Sequence, residues 1–353
     1  MNPTRAGTSF PVASSRIARA AVISAVALVV VAVSSVVLRG KGTAEERRIG
    51  MAVELMNHAA AAYVAQDKGW YEARGLRLSS YRSYVTGMAL AAALARQDIQ
   101  VAYMCLVPAI SAYANARVPI KIVAGTHKYG YALLVNPDVV TRMEDLAGAG
   151  VRIGCVREGG AADVLLRRTI ESYQLDRREI LSRVRRMNPP RLLIALKTGQ
   201  LDAACLPEQW ASMAEDLGFQ TLLSAKDVWP QMQGSVLVVK EELLRQSPEQ
   251  VRKLVAVNEE ATRWVNQHPA EAARTLARVL TATGEKEMPA QVAALAANLA
   301  MNPDTMRRSM GRLEYTSAIS VQDVQDVIDY MAEIGYLKKS FPAEEIVDTR
   351  FLP

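Results

Sequence analysis

IGMAVELMNHAAAAYVAQDKGWYEARGLRLSSYRSYVTGMALAAALARQDIQVAY, residues 49–103, decides the fold. Its opening run, 49–56, reads as a strand. Residues 60–74 read as a helix that stops at Gly75, a residue free to take the left-handed conformation that ends helices. Residues 76–81 alternate as a strand does. Thr86 then opens a helix rich in Ala and Leu, to about residue 96, and 99–103 is a strand. Strand, helix, strand, helix, strand is the rhythm of a parallel sheet.

The rhythm continues outward. A helix over 109–116 and strands over 120–124 and 132–135 complete a first unit. A second unit repeats it: strands over 151–156, 184–186, 203–206 and 221–223, helices over 161–173, 191–198 and 209–217, and a strong β run, SVLVV, over 235–239. After residue 241 the pattern turns almost wholly helical, over 248–267, 269–281, 289–299, 304–311 and 320–335. Pro248, Pro269, Pro289 and Pro303 stand at the expected helix starts, where a missing N–H costs nothing. The sequence thus predicts two small α/β units and a helical tail.

Composition supports a folded chain with a real core. Of 353 residues, 50% are apolar and 22% charged, which excludes intrinsic disorder and a multi-span membrane protein. The net charge of +6 is mostly local: Arg5, Arg16, Arg19 and Arg39, with no acid among the first 40 residues, supply four of the six. No basic stripe remains to read as a nucleic-acid surface. Aromatics, at 6%, are too few for a base-stacking platform.

Residues 20–38 run without a charge and would span about 28 Å as a helix, near the hydrocarbon thickness of a bilayer. More positive charge before than after this run places the bulk of the chain outside the cytoplasmic membrane. Residues 1–40 therefore read either as a cleaved signal peptide or as a retained anchor, and 41–48 as a polar linker. The expected location is the periplasm or the outer face of that membrane. The three cysteines, Cys105, Cys155 and Cys205, are an odd number in apolar runs and read as buried small hydrophobes.

Several segments, in consistent order from 49 to 352, resemble the periplasmic solute-binding proteins of the nitrate/sulfonate/taurine type. They are YVAQDKGWYEARGL (63–76), ALAAALARQDIQVAY (89–103), EDLAGAGVRIGCVREGG (144–160), ALKTGQLDAACLPEQW (195–210), SVLVVKEELL (235–244), TRWVNQHPAEAARTLA (262–277) and the ending over 321–352. The resemblance implies an α/β, two-lobed, type II periplasmic-binding fold with C-terminal helices, preceded here by the signal or anchor helix. It implies lobe 1 over 49–131 plus 235–353, lobe 2 over 142–230, and hinges near 132–141 and 232–235. It implies a small-molecule ligand held between the lobes, an ABC permease as partner, and a monomer that binds no nucleic acid.

Ligands of such sheets lie beyond the carboxyl ends of the strands, which selects the candidate residues. Asn57 and His58 follow the first strand and either face the cleft or cap the next helix. Thr86 and Gly87 open a helix whose free N–H groups suit an anion, or Thr86 is a plain cap. Met104 and Cys105 follow the third strand, as an apolar wall of the site or as core. His127 and Tyr129 precede the first crossing, as ligand contacts or hinge packing. Gly159, Gly160 and Ala161 correspond to the family's Gly-Ser turn, with Ala161 in place of the hydroxyl residue. Glu208 and Trp210 correspond to its Glu-Pro-Trp element, with Gln209 in place of proline; Glu208 could pair with an amine or serve the helix dipole.

No catalytic motif is present: there is no GxSxG, HExxH or P-loop, and His268 sits at a helix boundary. No cofactor is expected. His58, Met104, Cys105 and His127 together would suit a soft metal, but no HxxH or CxxC spacing supports it. The reading is therefore a binding protein without chemistry, for a small anionic or zwitterionic organic molecule, sulfonate- or taurine-like. A membrane-tethered sensor and an exported enzyme on the same fold, with thiamine-precursor or menaquinone-type chemistry, are the alternatives.

Overall fold

The computed structural model describes Met1 and residues 48–96, 98–287 and 301–353. The apolar run at 20–38 and the helix expected at 289–299, with Pro289, lie outside the described residues. Among the described residues no helix is long and apolar enough to cross a membrane.

The chain begins with β1 (Ile49–Glu54), a 3-10 turn over Asn57–Ala59, α1 (Ala60–Asp67), α2 (Trp70–Ala73) and β2 (Leu78–Tyr84). The helix expected over 60–74 is thus two helices. Gly69, at φ 69°, adopts the left-handed conformation between them, which a residue without Cβ reaches freely. Next come α3 (Gly87–Leu94), β3 (Val101–Cys105), α4 (Leu106–Ala114) and β4 (Ile120–Tyr129). Thr86 caps α3 by accepting from the Ala89 N–H at 3.2 Å. β4 runs five residues past the expected end at 124. It stays extended because β10 and β11 flank it on both edges.

The second unit holds β5 (Tyr131–Val135), β6 (Ile153–Cys155), α5 (Ala161–Ser172), α6 (Arg177–Arg183) and β7 (Arg185–Arg186). It continues with α7 (Pro189–Lys197), β8 (Ala203–Pro207), α8 (Glu208–Glu215), β9 (Gln220–Ser224) and α9 (Ala225–Val228). β10 (Gln233–Lys240) returns to the first sheet. Then follow α10 (Glu241–Gln246), α11 (Pro248–Gln267), α12 (Pro269–Glu287), α13 (Pro303–Met310), β11 (Leu313–Tyr315) and α14 (Val321–Glu333). Pro248, Pro269 and Pro303 each open their helix, as read from the sequence. β11 breaks the expected all-helical tail.

Two sheets result. The first has the order β11-β4-β10-β3-β1-β2 and the second β7-β6-β8-β5-β9. They are mixed rather than wholly parallel. β1, β2 and β3 run parallel, but β10 is antiparallel to both β3 and β4, and β5 to both β8 and β9. β5 and β10 stand next to the points where the chain passes from one sheet to the other, and β11, antiparallel to β4, closes the edge of the first sheet. β1, β3, β5 and β8 are buried along their full length, as strands covered on both faces are.

One apolar cluster joins the sheets. It runs from Ala52 and Leu106 through Tyr131, Leu133 and Ile153 to Val327 and Met331 of α14. The last residues return to β4: the Ile122 N–H donates to the Ile346 carbonyl at 2.7 Å, and the Asp348 N–H to the Ile122 carbonyl at 2.8 Å.

Candidate functional site

The carboxyl ends of β1 and β3 and the junction of β4 with β5 meet at one place. β1 ends in Glu54, whose side chain is fully buried. β3 ends in Cys105, whose N–H donates to Glu54 Oε1 at 2.9 Å and whose thiol donates to Glu54 Oε2 at 2.8 Å. Gly87 opens α3 directly against this carboxylate: a Cβ there would lie 2.3 Å from Glu54 Oε1. The chain's own carboxylate therefore stands at the helix start that the sequence offered to an anion.

His58 sits on the 3-10 turn after β1. Its Nε2–H donates to the Gly130 carbonyl at 2.8 Å, which leaves Nδ1 unprotonated, 3.8 Å from Cys105 Sγ. The hydroxyl of Tyr131 donates to the same sulfur at 2.8 Å. The His127 ring lies 4.3 Å from that of His58, centre to centre, and donates through Nδ1 to the Lys128 carbonyl. His127 Nε2 is buried without a hydrogen-bond partner.

Burial sets the charge of this group. It raises the Glu54 carboxyl from 4.5 to about 7, against the lowering effect of the two bonds from Cys105. It pushes the Cys105 thiol well up, reinforced by the Glu54 charge. It lowers His58 well below its ordinary value, with help from His127, and lowers His127 to about 4. Water is the better solvent for every one of these charged forms. At pH 7 both imidazoles and the thiol are thus neutral, and Glu54 alone is partly ionised.

Gly130 joins the sheets. It lies between β4 and β5 at φ 92°, beside Tyr129 at φ 64°. Its carbonyl accepts from His58 and also from the Glu208 N–H, at 2.8 Å, at the end of β8. Asn57 bridges in the same way: its N–H donates to Gln209 Oε1 at 2.9 Å, and its Nδ2 to Ser309 Oγ at 2.7 Å.

A cavity of about 360 Å³ opens beside Gly130. Tyr129, Tyr131, Glu208, Lys226, Asp227 and Arg312 are among its walls. Glu208 is 1% exposed, and burial raises its carboxyl although Arg312 opposes the shift. Arg312 reaches Glu208 Oε1 and Glu215 Oε2, each at 2.9 Å. Arg312→Ala leaves the Glu208 charge buried without its cation. The expected loss is about 2 kcal/mol at pH 8, below the range for a fully buried pair because Arg312 is partly exposed. Urea unfolding at pH 8 and pH 4.5 checks this: the loss shrinks at the lower pH, where Glu208 takes a proton.

The remaining sequence candidates divide. Asn57, His58, Cys105, His127 and Glu208 gather around Gly130, and Tyr129 lines the cavity. Its hydroxyl donates to the Pro230 carbonyl at 2.9 Å. Met104 is in the core, opposite Val236. Trp210 packs with Leu192, Leu193 and Leu206, apart from the cluster. Gly159, Gly160 and Ala161 start α5 elsewhere. The Gly159 N–H donates to Asp163 Oδ2 at 3.1 Å, and Gly159 lines a second cavity of about 460 Å³ with Met88, Ala91, Ala112 and Tyr336.

The sequence reading missed Glu54, Gly130, Tyr131 and Arg312. A carboxylate inside the apolar run MAVEL was the one available signal.

Two sheets linked by two crossings, with polar groups from both at one junction, define the class of two-lobed, type II periplasmic-binding folds. The sequence matches the NMT1-like family over residues 42–281, and the chain belongs to that family. Solved structures share the fold. The alkanesulfonate-binding protein SsuA from Xanthomonas axonopodis pv. citri, bound to MOPS, has a TM-score of 0.70 at 17% identity, over 86% of this chain and 98% of that one. The periplasmic nitrate-binding protein NrtA from Synechocystis gives 0.69 at 14%, over 87% of each chain. The periplasmic aliphatic sulphonate-binding protein SsuA from Escherichia coli gives 0.66 at 16%, over 85% and 97%. A search of curated protein sequences finds no match.

Proposed function

We propose that the chain is the extracytoplasmic solute-binding component of an ABC importer. In this reading the two sheets belong to two lobes, 49–131 plus 235–353 and 142–230, that part and close on a small organic molecule. The observation that carries it is the 360 Å³ cavity at the crossing. Its walls come from the junction itself, from the second sheet through Glu208, Thr221 and Lys226, and from the first through Leu313 of β11. A ligand there touches both lobes, so it favours the closed arrangement by its contacts with each. Its size falls within the usual range for small-ligand sites.

The cavity carries both signs of charge, with Lys226 and Arg312 facing Glu208, Asp227 and Glu314. That suits a zwitterion with a sulfonate or carboxylate at one end and an amine at the other, and suits bare nitrate poorly. The solved relatives bind sulfonates or nitrate by their descriptions, which agrees with the anionic end. The permease that accepts the closed form is the implied partner, and the site is read as binding without turnover.

A thermal-shift series with taurine, an alkanesulfonate, nitrate and bicarbonate tests the reading. Taurine or the sulfonate is expected to raise the melting temperature at millimolar concentration, as any ligand specific for the folded state must. Lys226→Ala, at an exposed position on the cavity wall, is expected to abolish the rise. A flat response to all four compounds overturns the ligand class.

A further inference from the structure

We propose that Glu54, His58 and Cys105 form a binding site for a zinc-class divalent cation at the junction of the two sheets. One carboxylate oxygen, one imidazole nitrogen and one sulfur lie within 4.8 Å of one another, and all three residues are buried. From the sequence, His58, Met104, Cys105 and His127 form a soft-metal set that no spacing supports. The structure brings Glu54 instead, a harder donor that moves the set toward zinc.

Three observations point to a cation. First, His58 is prepared as a ligand. Its Nε2–H is committed to the Gly130 carbonyl, so the Nδ1 lone pair faces Cys105 Sγ at 3.8 Å. That is the outer-partner arrangement by which proteins fix the tautomer of a metal-binding imidazole. Second, the donors are mutually close without being satisfied by charge. Among the described residues no cation pairs with the buried Glu54 carboxylate; its partners are the N–H and thiol of Cys105. Third, the sulfur is already supported by the Tyr131 hydroxyl at 2.8 Å, a group that stabilises a thiolate. His127, with Nε2 unpartnered and its ring 4.3 Å from that of His58, stands close by.

Sulfur, nitrogen and oxygen donors together select zinc over magnesium or calcium, which take oxygen alone. Metal–ligand bonds of roughly 2.0–2.3 Å in tetrahedral geometry separate ligand atoms by roughly 3.3–3.6 Å. The sulfur–oxygen distance of 2.8 Å and the sulfur–nitrogen distance of 3.8 Å bracket that separation, so small side-chain rotations admit the ion. Binding breaks the S–H bond of Cys105 and forms a metal–sulfur bond. The thiol proton leaves to solvent, as does that of Glu54 where it is protonated. Entry requires the second sheet, which carries Tyr131, to move from the first.

Cobalt(II) is the probe. Full-length protein is stripped with a chelator, then titrated with cobalt both as folded and during refolding from guanidinium, which removes any barrier to entry. The expected result is one equivalent bound, with a thiolate-to-cobalt charge-transfer band and the intense visible bands of tetrahedral cobalt. Cys105→Ser loses the charge-transfer band although Cys155 and Cys205 remain, and Glu54→Gln weakens binding about tenfold or more. Should Cys105→Ser not fold, the double variant Cys155→Ser, Cys205→Ser decides, because Cys105 is then the sole thiol and the band must persist. A protein that shows no such band by either route, or a band that survives in Cys105→Ser or vanishes in the double variant, overturns the proposal. Each readout is independent of the organic ligand, so the cobalt result stands or falls apart from the thermal-shift series.

Discussion

Gly130→Ala is expected to cost about 3 kcal/mol of stability. Two penalties add. The backbone stands at φ 92°, where a side chain costs roughly 1–2 kcal/mol. The added Cβ would also lie 2.8 Å from both His127 Cε1 and His58 Nε2, and overpacking of that kind costs roughly 1–3 kcal/mol. The rings have little room to retreat, since Gly234 closes on His127 from the other side: a Cβ there would lie 2.3 Å from the same Cε1. A fall in melting temperature of roughly 5 °C should follow. Gly150→Ala is the control, because nothing lies within 4 Å of its Cβ position. A Gly130→Ala protein that melts with the control removes the strained junction from the account.

The second large effect is on pH dependence. With a chelator present, Glu54→Gln is expected to be more stable than the unsubstituted protein at pH 8, by at most on the order of 3 kcal/mol. The advantage should fade as the pH falls and be gone near pH 4. The sign follows from burial. Glu54 titrates at about 7 in the folded chain against an ordinary 4.5. Between those values the folded state holds a proton that the unfolded state has released. Stability is therefore full below pH 4.5, declines as the pH rises through this window, and levels off above 7. Glutamine keeps the shape and an acceptor for the Cys105 N–H but never ionises. The two histidines act in the opposite direction: their depressed values give stability above pH 6.5 that is lost as the pH falls. Both proteins share that loss, so their difference isolates Glu54. Guanidinium midpoints from pH 4 to 8 measure it, and parallel curves would sink the assignment.

Local chemistry made much of the fold legible. A proline costs nothing at a helix start, so Pro248, Pro269 and Pro303 marked three helices correctly. Thr86 capped its helix as read. A single glycine inside a helical pattern does not by itself end a helix, and only the left-handed conformation of Gly69 breaks the run. Past residue 124, GTHKY has no strand pattern of its own, and pairing with β10 and β11 holds it extended. β11 itself has three residues, too few for any periodicity.

The site was half legible for the same reason. His58, Cys105 and His127 could be picked from strand ends. Glu54 could be seen as a carboxylate in an apolar strand, but its bonds reach across 51 residues to Cys105. Arg312 finds Glu208 across 104 residues, and nothing near either one announces the other.

The Gly130 carbonyl has a mechanical meaning. One oxygen accepts from a side chain on the first sheet and from a backbone N–H on the second. Turning that single peptide plane releases both grips together, and a half-released state keeps little of the bonding while already bearing the cost of the turn. For the parting of the lobes proposed above, the junction should therefore behave as a toggle rather than a spring, with sparse intermediates and a sharp threshold.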